Sequence, residues 1–126
     1  MNFNNLTIKS QEALQQAQQI AQGSGHQQIE NEHIFKGILE VDENVAPFIL
    51  KKLNVNVNLF KQILDSTLQS FPKVSGSELM FSREAGTTLN EATSIAKKMN
   101  DEYVSIEHLL LAIFKSKSKI AQILKD

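Results

Sequence analysis

The sequence predicts an all-α protein made of two pseudo-symmetric four-helix repeats, the second lacking its last helix. Three observations carry this. Apolar residues recur at helical spacings of three and four, and no segment alternates with period two for long. The chain repeats itself at a fixed offset. Capping residues stand where the apolar stripes begin and end.

His33 and His108 lie 75 residues apart, and that offset holds without a gap from Phe3–Lys51 to Glu78–Asp126. Leu14/Leu89, Ala17/Ala92, Ile20/Ile95, Ala21/Ala96, Glu32/Glu107, His33/His108, Ile38/Ile113 and Ala46/Ala121 are identical. Apolar exchanges such as Ile29/Val104 and Ile34/Leu109 keep step. The expected organisation is one unit over 1–126, with repeat one at 1–70, a connector at 71–80 and repeat two at 81–126.

Thr7 is placed to cap a first helix whose stripe is Ser10, Leu14, Ala17, Ala21 and Ser24, and Gly23 or Gly25 is placed to end it in a left-handed turn. A second helix begins at Glu30 or Asn31 and runs to about Val41. Asn44 precedes a short third helix through Lys52. Asn56 precedes a fourth, VNLFKQILDSTLQ, with Leu59, Ile63 and Leu68 expected inward. Pro72, Gly76 and three serines mark SFPKVSGSELM as a connector. Ser82 then caps a helix with the stripe Ala85, Leu89, Ala92, Ala96 and Met99, and Ser105 caps another over Ile106–Lys115. The counterpart of the fourth helix falls past Asp126, so the apolar side of Ile120, Ile123 and Leu124 is expected to lack its cover.

Thirteen Lys and Arg against fourteen Asp and Glu leave a formal charge of −1, which argues against nucleic acid and anionic membrane as partners. Cysteine is absent, so thiolate metal sites and disulfides are excluded and a cytoplasmic location is expected. The first residues, MNFNNLTIKS, lack a secretory pattern, and no apolar run is long enough to span a bilayer.

The twice-occurring Glu-His pair is the main chemical signal. Its plainer explanation is capping, with Glu32 and Glu107 in a first helical turn, favoured there by the macrodipole. A metal or acid–base site would need more ligands than one His beside one Glu, and there is no HExxH. His26, in GSGHQQ, is expected in solvent. No GxSxG or GxxxxGK[ST] occurs, so the expectation is no catalysis and no metal in this chain. The glutamines from Gln11 to Gln22 read as a solvated face, and Lys115, Lys117 and Lys119 as a charged turn.

The halves TIKSQEALQQAQQIAQGSGHQQIENEHI and SREAGTTLNEATSIAKKMNDEYVSIEHLLLAI resemble the double repeat of the Clp N-terminal domain at the front of Hsp100 unfoldases. SFPKVSG and GHQQIENEH are most similar to the disaggregase branch. The resemblance covers essentially the whole chain; Asn31 and Ile106 stand where the family often has Pro, and Glu30 replaces a capping Ser or Thr.

The resemblance implies a non-catalytic domain that binds apolar segments of unfolded or aggregated client proteins in a groove where the repeats meet. It implies a parent that is a hexameric AAA+ ATPase using ATP and magnesium in modules outside this chain, the isolated domain being a monomer. A free-standing double-repeat protein that docks on an adaptor is the alternative. Carried over by position, Thr7, Asp101 and Glu107 match the polar edge of that groove, and Leu89, Ile95 and His108 its apolar side; Ile8 and Ile106 are added as apolar neighbours of the caps.

Overall fold

The computed structural model describes residues 5–74 and 78–125. Ser75, Gly76 and Ser77 of the predicted connector, and the outermost residues of the repeat, lie outside that range. Seven helices occur among the described residues: α1 (Ile8–Gly23), α2 (Asn31–Val41), α3 (Val45–Lys52), α4 (Val57–Gln69), α5 (Arg83–Lys98), α6 (Ile106–Lys115) and α7 (Lys119–Lys125). The duplication is visible in their bounds. Advanced by 75, α1 gives the bounds of α5, α2 those of α6 within one residue, and α3 those of α7 within two.

The caps repeat as well. The Thr7 and Ser82 hydroxyls accept the N–H groups of Ser10 and Ala85, at 3.1 and 3.0 Å. Helix α1 ends through Gly25 and α5 through Asn100, both at positive φ (69° and 59°). At each end the next residue, His26 or Asp101, donates its N–H back to Ala21 or Ala96, closing the same left-handed turn. Ser24 and Met99, expected on the buried stripes, are exposed because they are the C-caps.

The repeats are interlocked rather than placed side by side. Strand β1 (Gln28–Ile29) pairs in parallel with β2 (Met80–Phe81), and Leu6 pairs with Val104. These pairings are the same one seen from each repeat: the segment before α5 pairs with the segment before α2, and the segment before α1 with the segment before α6. Thr7 donates to Val104 O and Ser82 to Ile29 O, each at 3.0 Å. Two-residue strands are too short to show an alternating pattern in sequence. Helix exchange follows the same rule, α3 packing on α6 and α7 on α2 and α4.

Three expectations change. Leu59 is exposed, and the inward stripe of α4, which begins at Val57, is Phe60, Leu64 and Leu68, spaced by four. Ile120 is fully buried and Ile123 and Leu124 are half-buried, because α2 and α4 of the first repeat cover α7. His26 is buried, its Nδ1 2.7 Å from His33 Nε2.

Asn31 is 1% exposed, and neither its amide nitrogen nor its amide oxygen has a partner among the described residues. At the matching place in α6 stands Ile106, also buried. An unpartnered buried amide costs about 1 to 3 kcal/mol, whereas the repeat shows that this site accepts an aliphatic side chain. Asn31→Val is therefore expected to stabilise the protein by about 1 kcal/mol after some crowding, measured as a raised urea midpoint at unchanged m-value.

Candidate functional site

The N-terminal turns of α2 and α6 put the Glu-His pairs at matching positions. In both, the His is the third helical residue and its Nδ1 accepts the N–H of the capping residue, from Glu30 to His33 and from Ser105 to His108, each at 2.8 Å. A neutral ring that accepts at Nδ1 carries its proton on Nε2. That proton goes to His26 Nδ1 in the first repeat and to Asp101 Oδ2, 2.8 Å away, in the second. Positions 26 and 101 correspond at the same offset, so one scaffold holds an imidazole–imidazole pair in one copy and an imidazole–carboxylate pair in the other.

Burial lowers both rings of the first copy, His33 to about 4 with a further push from His26, and His26 with a further push from Lys73. Both are neutral near pH 7. His33 and His108 do not converge on one site; each ring is tied to its own partners.

In the second copy Ser105 Oγ, His108 and Asp101 follow one another like a hydrolytic triad, with Oγ 3.1 Å from Nδ1. The Nδ1 lone pair, however, already accepts the Ser105 backbone N–H at 2.8 Å, so it is not free to take the hydroxyl proton. Asp101, Glu107 and His108 also bring one ligand-type atom each within 4.8 Å of one another. Coordination through Nε2 would break the bond to Asp101 and reverse the tautomer that Ser105 N–H selects. Capping and positioning account for these contacts.

Glu32 and Glu107 diverge although both occupy the first turn. Glu32 is buried, and its Oε2 accepts the N–H of Ile120 at 3.0 Å, so it helps cap α7 across the repeat boundary. Burial raises its carboxyl pKa above the usual range. Glu107 is exposed. It lines a cleft of about 630 Å³ whose other walls come from the other repeat: Glu43, Asn44, Val45, Pro47, Phe48, Ile49 and Lys51. Phe48 is 60% exposed there and Val45 37%. At this cleft Asp42 caps α3, taking the N–H groups of Asn44, Val45 and Ala46.

Of the residues singled out from sequence, Asp101 and Glu107 are exposed at this junction, and Thr7 joins it through its bond to Val104. Ile8 is 75% exposed at the start of α1. Leu89, Ile95, Ile106 and His108 are 1 to 7% exposed and lie in the buried interior rather than on an open groove wall. Sequence reasoning missed Val45, Phe48 and Asp42. The available signal was Pro47-Phe48 in an eight-residue helix too short to bury every apolar side chain. A second groove of about 540 Å³ lies between α5 and α6, but Arg83, Glu84, Glu91, Lys115 and Lys117 make its rim charged.

Fold and site together define a tandem-repeat helical module whose exposed apolar cleft crosses the repeat boundary. Comparison with known proteins places that module. The chain belongs to the Clp repeat N-terminal domain family, whose model matches residues 5–126. It is 49% identical over its whole length to the chaperone protein ClpB of Bacteroides thetaiotaomicron, and spans 15% of that relative. It is similar in fold to the Hsp104 N-terminal domain from Candida albicans, with a TM-score of 0.87 at 22% identity, covering 97% of this chain and 81% of that one. A ClpV N-domain in complex with a VipB peptide matches with a TM-score of 0.79 at 20% identity, covering 97% and 78%. Among the described residues no helix is long and apolar enough to cross a membrane.

Proposed function

We propose that the chain is the non-catalytic client-recognition domain of a ClpB-like, ATP-dependent disaggregase, and that it binds exposed apolar segments of unfolded or aggregated proteins. The observation that carries this reading is the α3–α6 cleft, where Phe48 and Val45 stand uncovered beside the exposed carboxylate of Glu107. A client without a fixed fold offers apolar side chains and free backbone groups, and this cleft presents partners for both. Thr7, Ile8, Asp101 and Glu107 would form its accessible edge, with Leu89, Ile95, Ile106 and His108 holding that edge in place from below. The peptide complex of the ClpV N-domain and the ClpB relatives support the reading.

Two or three apolar anchors at about 1.5 to 3 kcal/mol each, less the costs of association and ordering, leave an affinity of roughly micromolar or weaker. Weak contacts suit a ring that must release what it gathers, and six tethered copies in a parent hexamer would restore avidity. ATP and magnesium would act in the parent's ATPase modules.

The test is a titration of the isotope-labelled protein with a reduced, carboxymethylated polypeptide. Amide shifts are expected at Val45, Phe48 and Glu107, and Phe48→Asp is expected to weaken binding at least tenfold while leaving the helical signal intact. An absence of shifts at millimolar polypeptide overturns the proposal.

A further inference from the structure

The α5–α6 groove exists because the contacts that close the matching helix pair of the first repeat are replaced one by one at the 75-residue offset. Gly37 lies against the Ala13 carbonyl, where an added Cβ would be 2.4 Å from its oxygen. Ala112 and Thr88 hold those two places in the second repeat, so α5 and α6 cannot approach as closely. Lys9 Nζ donates to Val41 O at 2.8 Å and ties the start of α1 to the end of α2. Glu84 and Ser116 stand there instead, and the carboxylate has no proton to give to the carbonyl. Gln16 donates to Glu40 at 2.5 Å, whereas Glu91 and Lys115, in their places, are 3.8 Å apart.

The opening measures about 540 Å³ and is lined by three acceptors that have no partner among the described residues. The Glu84 carboxylate is exposed and makes no ion pair or hydrogen bond. The Ser116 carbonyl receives no N–H. Thr88 is 2% exposed, yet its hydroxyl is unbonded, while Thr87 and Thr93 turn theirs back to carbonyls four residues earlier. A buried hydroxyl without a partner calls for one.

We propose that this groove seats a helix of a folded protein partner, with one lysine of that helix taking the role that Lys9 plays in the first repeat. Its stem lies along Ala112, and its ammonium, which has three N–H donors, meets Glu84, Ser116 O and Thr88 Oγ1. Arg83, Lys115 and Lys117 on the rim oppose a ligand of net positive charge, so the lysine comes with Asp or Glu one turn away on the same helix face. Such a pattern needs fixed spacing, which a folded helix has and an unfolded client lacks. From Arg83 to Glu91 the groove follows α5 for about 12 Å, at roughly 1.5 Å per residue, enough for two helical turns. It shares no lining residue with the α3–α6 cleft. The inference therefore stands apart from the client-binding proposal and concerns a second kind of partner.

The probe is an acetylated and amidated helix-forming peptide of about 16 residues, with one central Lys, a Glu four residues away on each side, and Ala and Gln elsewhere. Its control carries norleucine in place of the Lys. Both are titrated into the isotope-labelled chain and followed by NMR, with spermidine and the carboxymethylated polypeptide as parallel ligands. Expected are shifts at Thr87, Thr88, Ala112 and Ser116 with the lysine peptide, and an affinity lower by about fivefold or more for the control. Glu84→Lys, which restores the residue of the first repeat, is expected to abolish those shifts while the polypeptide still moves Val45 and Phe48. Glu84→Gln, which keeps an acceptor oxygen, is expected to fall between.

Equal affinity for the two peptides, or lysine-peptide shifts that persist in Glu84→Lys, overturns the inference. So does a stronger response to spermidine, which would assign the groove to a free polyamine, and so do peptide shifts confined to Val45 and Phe48. Absence of the polypeptide's shifts alone overturns the client-binding proposal and leaves this inference standing.

Discussion

Replacing Gly37 with alanine is expected to lower stability by about 2 kcal/mol or more and Tm by roughly 10 °C. In isolation this substitution helps a helix, since Ala is favoured over Gly by about 1 kcal/mol in a helix interior. Packing reverses the sign. A Cβ at Gly37 would lie 2.4 Å from the carbonyl oxygen of Ala13 and 3.1 Å from the backbone nitrogen of Ala17. Those atoms belong to the backbone of α1, so relief requires α1 and α2 to move apart along the stripe on which Ala13, Leu14, Ala17 and Ala21 are buried. Overpacking of this kind costs typically about 1 to 3 kcal/mol and at times more, and it must first cancel the helical gain.

Gly23→Ala is the control. Nothing lies within 4 Å of a Cβ at that position, and its φ is not positive, so the same change is expected to raise stability by up to about 1 kcal/mol. Thermal unfolding of the pair separates the two effects. Similar midpoints for both variants would mean that α1 and α2 are not held at this distance.

Acidification from pH 7.5 to 5 is expected to destabilise the protein through the buried imidazole pair. In the unfolded chain His33 titrates near 6.5, and in the folded protein at about 4. Between those values the unfolded chain binds the extra proton. The contribution is thus complete above pH 6.5 and is lost as the pH falls toward 4, at up to about 1.4 kcal/mol per pH unit and on the order of 3 kcal/mol in all. His26, also lowered by burial and then by Lys73, acts in the same direction. A proton on His26 Nδ1 would face the Nε2–H of His33, two donors at 2.7 Å.

Glu32 opposes the trend. Its carboxyl is raised by burial, so the folded protein takes up that proton first, gaining stability as the pH falls through the raised range, with the gain complete below about 4.5. The net loss on acidification should therefore be smaller than the His33 contribution alone.

His26→Asp supplies the discriminating variant, because it installs in the first repeat the residue found at Asp101 in the second. A carboxylate against His33 Nε2 favours the imidazolium, so His33 should titrate higher than in the parent and the acid loss should shrink. Urea unfolding at three pH values, with the His33 ring followed by NMR, checks both. An identical pH slope in the two proteins, or a parent His33 titrating near 6.5, would defeat the assignment.

Which parts of this could be read in advance follows from the range of each interaction. Helices α1 and α5 were legible because caps, stripes and left-handed terminators are local and occur twice, so each copy checks the other. The role of the His residues as capping partners was also within reach, lying three residues from the capping position. His26 was misplaced because its burial depends on Phe71, whose ring lies 5.7 Å from those of both His26 and His33 after a detour through three helices.

Leu59 was misassigned for a different reason. A four-residue spacing fits both the row beginning at Leu59 and the row beginning at Phe60, and only the surroundings of α4 choose between them. At the candidate site, Asp101 and Glu107 were identified from a resemblance, whereas the part played by α3 depends on Asp42 satisfying a helix start that its counterpart leaves to Glu32. Contacts 88 residues apart, such as Ile120 with Glu32, leave no local pattern.

The crossing of Leu6 to Val104 and of Ile29 to Phe81 has a kinetic consequence. Helical proteins usually fold fast because most of their contacts are near neighbours in the chain, but here closure must bring together backbone from opposite ends before either half is complete. Neither half can mature ahead of the other, so the protein should assemble more slowly than its helix content suggests and melt in a single step.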